Sequence, residues 1–176
     1  MSAYPKEWER QETLADGMRV QLRPLKPSDE ALYPEFSNHV TPEDARLRFF
    51  HPVTQPTPTM MRQFVDIDYD RAMAFVAISQ DAGELLGVAR LHCNQFHSHG
   101  EYAVIVRSDH KRRGLGRLLM RHLIDWARAT GLERVHGQVF GYNQPMLKMC
   151  EEFGFVVTDD PSDRDIKVVT LTLKQP

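Results

Sequence analysis

The sequence has little cysteine, no long apolar run and no excess of charge. Two of its 176 residues are cysteines, Cys93 and Cys150, which is too few for a disulfide framework. No apolar run approaches the roughly 20 residues that a membrane span needs. The 22 Lys and Arg residues are balanced by 24 Asp and Glu residues, so no overall charge draws the chain to nucleic acid or to a membrane. Residues 1–16 also lack the apolar core of a signal peptide. We therefore expect one cytoplasmic domain spanning residues 1–176.

The spacing of apolar residues predicts strands and helices along most of the chain. Strands are predicted at 18–22, 72–79, 85–93, 101–107, 135–140, 155–158 and 167–173. Helices are predicted at 28–39, with Ser28 as the N-cap, and at 41–50, 59–65, 115–129 and 145–152. A proline-rich connection at 52–58 and a hairpin turn at 80–83 link neighbouring elements.

The basic turn from Lys111 to Arg117 is the most informative segment. It contains Gly114 and Gly116 and joins a predicted strand to a predicted helix. The first N–H groups of a helix lack partners within the helix and carry partial positive charge, so a phosphate group suits them. Glycine lets the backbone approach that phosphate closely, and arginine can bind it with two hydrogen bonds. The turn therefore predicts a phosphate-binding site, with a simple helix-capping turn as the alternative.

Other phosphate-bearing ligands fit this turn less well. Its glycine spacing matches neither the dinucleotide fingerprint nor the phosphate loop that ends in Gly-Lys-Ser/Thr. The turn has no aromatic side chain on which a nucleic-acid base could stack. Nucleic acid is therefore disfavoured as a partner.

Two motifs resemble those of the GCN5-related N-acetyltransferases, the GNAT family. Residues 111–116 resemble its coenzyme A signature, Gln/Arg-x-x-Gly-x-Gly/Ala, with Lys111 at the first position. Asn143, Met146, Cys150, Gly154 and Phe155 resemble its second motif, Asn-x-x-Ala-x-x-x-Tyr-x-x-x-Gly-Phe. The resemblance implies an α/β (α+β) fold with a twisted, mixed, mainly antiparallel sheet of six to seven strands and helices on both faces. It also implies an N-acetyltransferase that uses acetyl-CoA as co-substrate and needs no metal.

A closer resemblance is to the acetyltransferase domain of bacterial protein lysine acetyltransferases that modify acyl-CoA synthetases. The similar phrases are Asp16-Gly17, Leu22-Arg23-Pro24, Arg48-Phe49-Phe50, and residues 66–70 and 101–107. This resemblance implies a protein lysine as acceptor, on an acyl-CoA synthetase partner, acetylated by direct attack in a ternary complex. A small-molecule amine acetyltransferase and a non-catalytic acyl-CoA-binding module remain as alternatives.

The resemblance also assigns roles to individual residues. Glu101 falls where the protein-acetylating group carries its general base. One strand would bind the pantetheine arm through its backbone, Asn143 would lie beside that arm, and the basic turn would hold the pyrophosphate. The coenzyme-binding residues are then Val104, Ile105, Val106, Lys111, Arg112, Arg113, Gly114, Leu115, Gly116, Arg117 and Asn143.

A general base is required because lysine is protonated at neutral pH. With a pKa near 10.4, only about one amine in 2,500 is neutral at pH 7, which adds roughly 4.6 kcal/mol to the barrier. A carboxylate that takes the proton, directly or through one water, offsets this cost. Glu101 is the candidate, and the alternative is that it merely protects a strand edge. Asp66, Asp68 and Asp70 are rival carboxylates, interpreted instead as loop residues that attract a basic acceptor.

Several other residues are open to two interpretations. Cys150 stands where many relatives carry a tyrosine that protonates the departing thiolate, and we interpret it as a buried structural cysteine. His92, Cys93, His97 and His99 cluster around one loop, but their spacing fits no standard zinc pattern. Phe49 and Phe50 are expected in the core, although one of them could line the acceptor channel.

Overall fold

The computed structural model describes residues 3–50 and 56–174. Within them, eight strands form one sheet in the order β1-β2-β3-β4-β5-β6-β8-β7. All neighbouring strands run antiparallel except β5 and β6, which are parallel. The strands are Arg10–Thr13, Arg19–Pro24, Ala72–Ser79, Leu85–Cys93, His99–Val106, Arg134–Phe140, Val156–Asp160 and Asp163–Thr172, numbered β1 to β8.

The predicted fold class is confirmed, but the sheet has more strands than the six to seven predicted. The additional strand is β1, which pairs with β2 at the edge of the sheet. Its sequence, Arg10-Gln11-Glu12-Thr13, is entirely polar and mostly exposed. Because no apolar alternation marks such an edge strand, periodicity gives no signal for it.

Five α-helices are described, on both faces of the sheet. Helix α4 packs on β3, β4 and β5 on one face, and α1 to α3 cover the other face. These two layers bury β3 along its whole length and β4 as far as Leu91, which explains their continuous apolar sequences. The helices are Tyr33–Asn38, Pro42–Phe49, Pro58–Val65, Leu115–Ala129 and Gln144–Phe153, numbered α1 to α5.

The predicted helix at 28–39 is divided. A 3₁₀ turn, Pro27–Leu32, precedes α1, and Ser28 is not its cap. Instead the Asp29 carboxylate accepts a hydrogen bond from the Lys26 backbone N–H at 2.9 Å. Pro34 has no N–H to donate to the preceding turn, so a continuous α-helix is disfavoured there.

The helices around the predicted site lie close to their predicted positions. Helix α2 is capped by Thr41, whose hydroxyl accepts from the Asp44 N–H at 3.2 Å. Helix α3 is capped in the same way by Thr57. The bounds of α4 match the prediction, and Gly131 follows it with φ 86°. Residues 52–55 of the predicted proline-rich connection lie outside the described residues.

Candidate active site

A gap opens in the sheet between β5 and β6. The described pairing of these parallel strands covers three positions, of which the last joins Glu101 to His136. In contrast, β5 pairs with β4 as far as Val106. The part of β5 beyond Glu101 therefore has β4 on one side and the gap on the other.

The backbone of β5 presents hydrogen-bonding groups to this gap. The Arg107 N–H donates to the Leu86 carbonyl of β4 at 2.8 Å. Because backbone groups of successive residues point to opposite sides of a strand, those of Ile105 also face β4. Those of Val104 and Val106 therefore face the gap. Two of the three residues predicted to bind pantetheine present their backbone there, and Ile105 does not.

Two helices begin at the edge of the sheet where the gap widens. Because β5 and β6 are parallel, their carboxyl ends share one edge, and α4 and α5 follow those ends. Gly114, the N-cap of α4, has φ 91°, and no side chain caps the first turn. A Cβ on Gly116 would lie 3.9 Å from the Val106 side chain, so the helix start lies against the end of β5. Its unpartnered N–H groups suit an anionic ligand at the mouth of the gap.

The basic side chains of the turn surround this helix start. Arg112 has φ 64°, and it forms no ion pair within the described residues. The Leu115 side chain is buried, so only its backbone is available to a ligand. The other cations are tied to acids on distant elements, Lys111 to Asp44 at 2.7 Å, Arg113 to Asp16 at 2.6 Å and Arg117 to Glu152.

An ion pair between the buried Arg107 and the exposed Asp109 fixes the start of the same turn. The Arg107 Nε and Nη2 atoms donate to the Asp109 carboxylate at 3.0 and 2.7 Å. These bonds, and the adjacent positive charge, lower the pKa of Asp109 to about 2. The turn is thus held in place before any ligand binds.

Asn143 caps α5, the second of the two helices that begin at this end of the sheet. Its side-chain oxygen accepts from the Met146 N–H at 3.4 Å, just after β6 ends at Phe140. The predicted pantetheine neighbour therefore lies on the β6 side of the gap, with its side chain engaged in capping.

Glu101 is exposed on β5 at the closed end of the gap. Its neighbours across the sheet are His92 of β4 and His136 of β6. Since β5 lies inside the sheet, Glu101 does not protect a strand edge. Partial desolvation of its ring, together with the charges of Arg90 and Arg48, lowers the pKa of His92, although the residue as a whole stays exposed.

The aspartates at 66–70 lie near the same end of the sheet. They follow α3 and precede β3, whose first residue, Ala72, is paired with His92. With His92 paired to Glu101, two strand spacings, roughly 10 Å, separate the start of β3 from the predicted base. The Asp68 carboxylate accepts from the Asp70 N–H at 3.1 Å, which shapes the loop.

Cys150 is completely buried, in agreement with a structural role. Its Sγ lies 3.2 Å from the hydroxyl of Tyr102, which is also buried. Burial raises the pKa of both groups. The Tyr102 ring lies across Gly137 of β6, where a Cβ would come within 2.4 Å of it.

A cavity of about 300 Å³ lies between the sheet and helices α1 to α3. We call it the arginine cavity, because Arg48 and Arg90 are its only charged lining residues among those described. Ile105, which shares a face of β5 with Glu101, forms part of its floor. The rest of the lining is mostly apolar or aromatic and includes Tyr33, Phe36, Phe49, Phe64 and Val88.

The sequence prediction missed the arginine cavity and its two cations. Arg90 interrupts an otherwise apolar buried strand, which was an available signal. Arg48 is the second-last residue of α2, beside Phe49, which lines the cavity as one interpretation allowed. Phe50 instead adopts φ 66° at the end of α2 and packs on Phe140, with ring centroids 5.0 Å apart.

The described residues contain no group of three or more His, Cys, Asp and Glu residues arranged to hold a metal ion. His92 is exposed while Cys93 packs against the core, so the two point to opposite faces of β4 as predicted. No helix in the described ranges is both long enough and apolar enough to cross a bilayer.

Comparison with known proteins identifies the family. A model of the acetyltransferase (GNAT) family matches residues 39–155. The chain is 36% identical over 154 residues to an acetyltransferase of Pseudomonas aeruginosa, covering 86% of this chain and 83% of that protein. The chain therefore belongs to the GNAT family and is an acetyl-CoA-dependent acyltransferase. The backbone groups at the gap and the uncapped start of α4 fit this co-substrate.

Two further proteins are similar to the chain. It is 28% identical over 141 residues to the acetyltransferase Pat of Mycolicibacterium smegmatis. The matched segment covers 77% of this chain but 40% of Pat. The GNAT domain of the S. lividans protein PAT superposes with a TM-score of 0.88 at 23% identity, covering 97% of this chain and all of that domain. The structural likeness shows a shared fold.

Proposed function

We propose that the protein transfers an acetyl group from acetyl-CoA to a primary amine, with Glu101 as general base. The observation that carries the proposal is the position of this exposed carboxylate, at the closed end of a gap whose open end suits a phosphate. A thioester held along β5 would bring its carbonyl carbon toward Glu101.

In the proposed reaction the amine and acetyl-CoA are bound together. Glu101 accepts a proton from the acceptor ammonium, directly or through one water, and releases it to solvent. The neutral nitrogen attacks the thioester carbonyl carbon to give a tetrahedral adduct, which collapses as the C–S bond breaks. The second proton of the nitrogen then passes, directly or through solvent, to the departing thiolate. The thioester supplies the acyl group, and the chain contributes binding, orientation and deprotonation.

The proposed coenzyme site combines three elements. Val104 and Val106 would bond the pantetheine amides in the manner of a neighbouring strand. The backbone N–H groups from Arg112 to Arg117 would bind the pyrophosphate, with Arg112 adding a cation that the described residues leave unpaired. Asn143 would flank the arm from the β6 side.

For the acceptor we propose a lysine side chain on the surface of a folded protein, with an acyl-CoA synthetase as the partner. The likeness to Pat and to the PAT domain supports this choice, as does the position of the aspartates at 66–70 close to Glu101. Carboxylates at the entrance would attract a basic surface patch. A lysine on the synthetase surface would reach Glu101 from solvent, to which this carboxylate is exposed.

A small-molecule amine is the second candidate acceptor, and the arginine cavity favours it. A half-open cavity near the predicted base suits a metabolite better than a protein surface. A non-catalytic acyl-CoA-binding module is disfavoured, because the carboxylate at position 101 is retained.

The specificity constant decides between the two acceptors. We expect a purified acyl-CoA synthetase to be acetylated with a higher kcat/KM than spermidine, free amino acids or aminoglycosides. If kcat/KM for a small amine exceeds that for the synthetase by more than about tenfold, a preference of ~1.4 kcal/mol, the protein-acceptor proposal is overturned.

A further inference from the structure

The two arginines of the arginine cavity, the buried Arg90 and the half-buried Arg48, differ from the two other buried arginines described. Arg23 forms a two-pronged pair with Asp29 at 2.6 and 2.8 Å, and Arg107 is paired in the same way with Asp109. No carboxylate in the described residues lies within 4 Å of Arg48 or Arg90. Within the described ranges, Arg23 and Arg107 are thus paired with acids, whereas Arg48 and Arg90 are not.

Arg90 is held rigidly by neutral groups. It is 8% exposed, and its Nη2 atom donates to the Tyr33 hydroxyl at 2.9 Å and to the Phe64 carbonyl. Its guanidinium also lies over the Phe64 ring, 5.5 Å from the centroid. Neutral acceptors orient the group but leave its charge uncompensated.

Arg48 has even fewer partners among the residues that the structure describes. Its guanidinium lies 4.6 Å from the centroid of the Phe49 ring. Burial and the repulsion of Arg90 lower its pKa to about 10, and the charge of Glu101 acts in the opposite direction. Two like charges beside mostly apolar walls are costly without a counterion.

The unused N–H groups of both arginines are reachable from the cavity. Among the described residues, no fully buried side-chain nitrogen or oxygen lacks a hydrogen-bond partner. The nitrogens of Arg48 and Arg90 that make no hydrogen bond therefore contact accessible space, and the space that both line is the arginine cavity. A planar anion can be bound there by two or more N–H donors.

We propose that the arginine cavity binds the carboxylate of a small amino acid whose amine is acetylated at Glu101. Arg90 is on the same face of β4 as His92, which is paired with Glu101. Arg90 and Glu101 are therefore diagonal neighbours, with Cα atoms about 7–8 Å apart. A molecule with an amine and a carboxylate a few bonds apart can reach both. The apolar walls would take its side chain. This assignment rests on the proposed acetyl transfer and specifies the second acceptor class.

Acetylation kinetics test the assignment. The substrates are L-leucine, L-methionine and L-phenylalanine, and each is compared with the corresponding amine that lacks the carboxyl group. In the wild-type protein we expect at least one amino acid to exceed its amine by tenfold or more in kcat/KM. Arg48→Gln should remove that preference, mainly through KM, and Arg48→Lys should restore part of it because the charge remains. Arg62→Gln is the matched control, since it removes one positive charge from the exposed side of α3.

Binding tests the cavity without turnover. We expect 4-methylpentanoate, which is leucine without its amine, to bind the coenzyme A complex in calorimetry and to bind at least tenfold more weakly to Arg48→Gln. Equal use of amines and amino acids by the wild-type protein, or absence of carboxylate binding, would overturn the assignment. Carboxylate binding with no turnover of any amine would overturn the proposed transfer alone.

Discussion

At the scale of single residues, Glu101 is the group on which the proposed chemistry depends. Glu101→Gln keeps the volume and hydrogen-bonding capacity of the side chain but cannot accept a proton. We expect kcat to fall at least tenfold at pH 7 while the affinity for acetyl-CoA changes little. The measurement is steady-state kinetics beside calorimetry of coenzyme binding.

The pH profile of this variant separates a base from a merely structural residue. As pH rises toward the acceptor pKa near 10.4, the amine loses its proton without help, so the deficit of Glu101→Gln should shrink. A deficit that stays constant with pH would assign the base to another residue.

Residues in regular apolar patterns could be predicted, and residues defined by tertiary contacts could not. The roles proposed for Glu101 and Asn143 come from the resemblance to known acetyltransferases, at positions that the sequence displays directly. The missing counterions of Arg48 and Arg90 could not be predicted, because they depend on which acids lie within 4 Å across four elements. Burial of Cys150 was predicted, but its hydrogen bond to Tyr102 spans 48 positions in the chain and has no local signal.

At the scale of secondary-structure elements, the start of α4 carries the expected phosphate site. Gly116→Glu would place a carboxylate where the pyrophosphate is proposed to bind, opposing it by charge and volume. A Cβ here has open space apart from Val106 at 3.9 Å, so the fold should survive. We expect acetyl-CoA affinity to fall by at least a hundredfold.

Calorimetry of the Gly116→Glu variant measures that affinity, and circular dichroism shows whether the helix remains. Gly116→Ala is the control, because it adds a Cβ without charge. Unchanged affinity in a folded Gly116→Glu protein would show that the coenzyme phosphates bind elsewhere.

Elements were predicted well where burial is one-sided or complete. The amphipathic helix α4 and the apolar strands β3 and β4 gave bounds that the structure reproduces. The division of the predicted helix at 28–39 was missed because the break depends on Pro34 in combination with the Arg23–Asp29 pair across the turn. Strand β1 was missed because edge pairing requires no apolar residues.

At the scale of the whole molecule, acids near the acceptor entrance should make protein recognition depend on salt. The rate of acetylation of an acyl-CoA synthetase should fall between low and physiological ionic strength, since charge attraction mainly raises association rates. Asp68→Asn should lower kcat/KM by severalfold at low salt and have less effect at high salt. Glu133→Gln, at an exposed position just before β6, is the matched control.

A peptide that carries the same lysine extends this experiment. It should be a poorer substrate than the intact synthetase, since contacts outside the entrance are lost. If peptide and protein are acetylated equally well and without salt dependence, surface docking has no part in recognition.

The short pairing between β5 and β6 also has a consequence for cooperativity of unfolding. Three paired positions join the strands β1 to β5 to the strands β6 to β8. A pantetheine arm bonded to Val104 and Val106 would add a second connection across that junction. Coenzyme A should therefore slow amide hydrogen exchange in β6 and β8, far from the phosphates, as well as in the basic turn. If protection appears only in the turn, the two parts of the sheet open independently of the bound coenzyme.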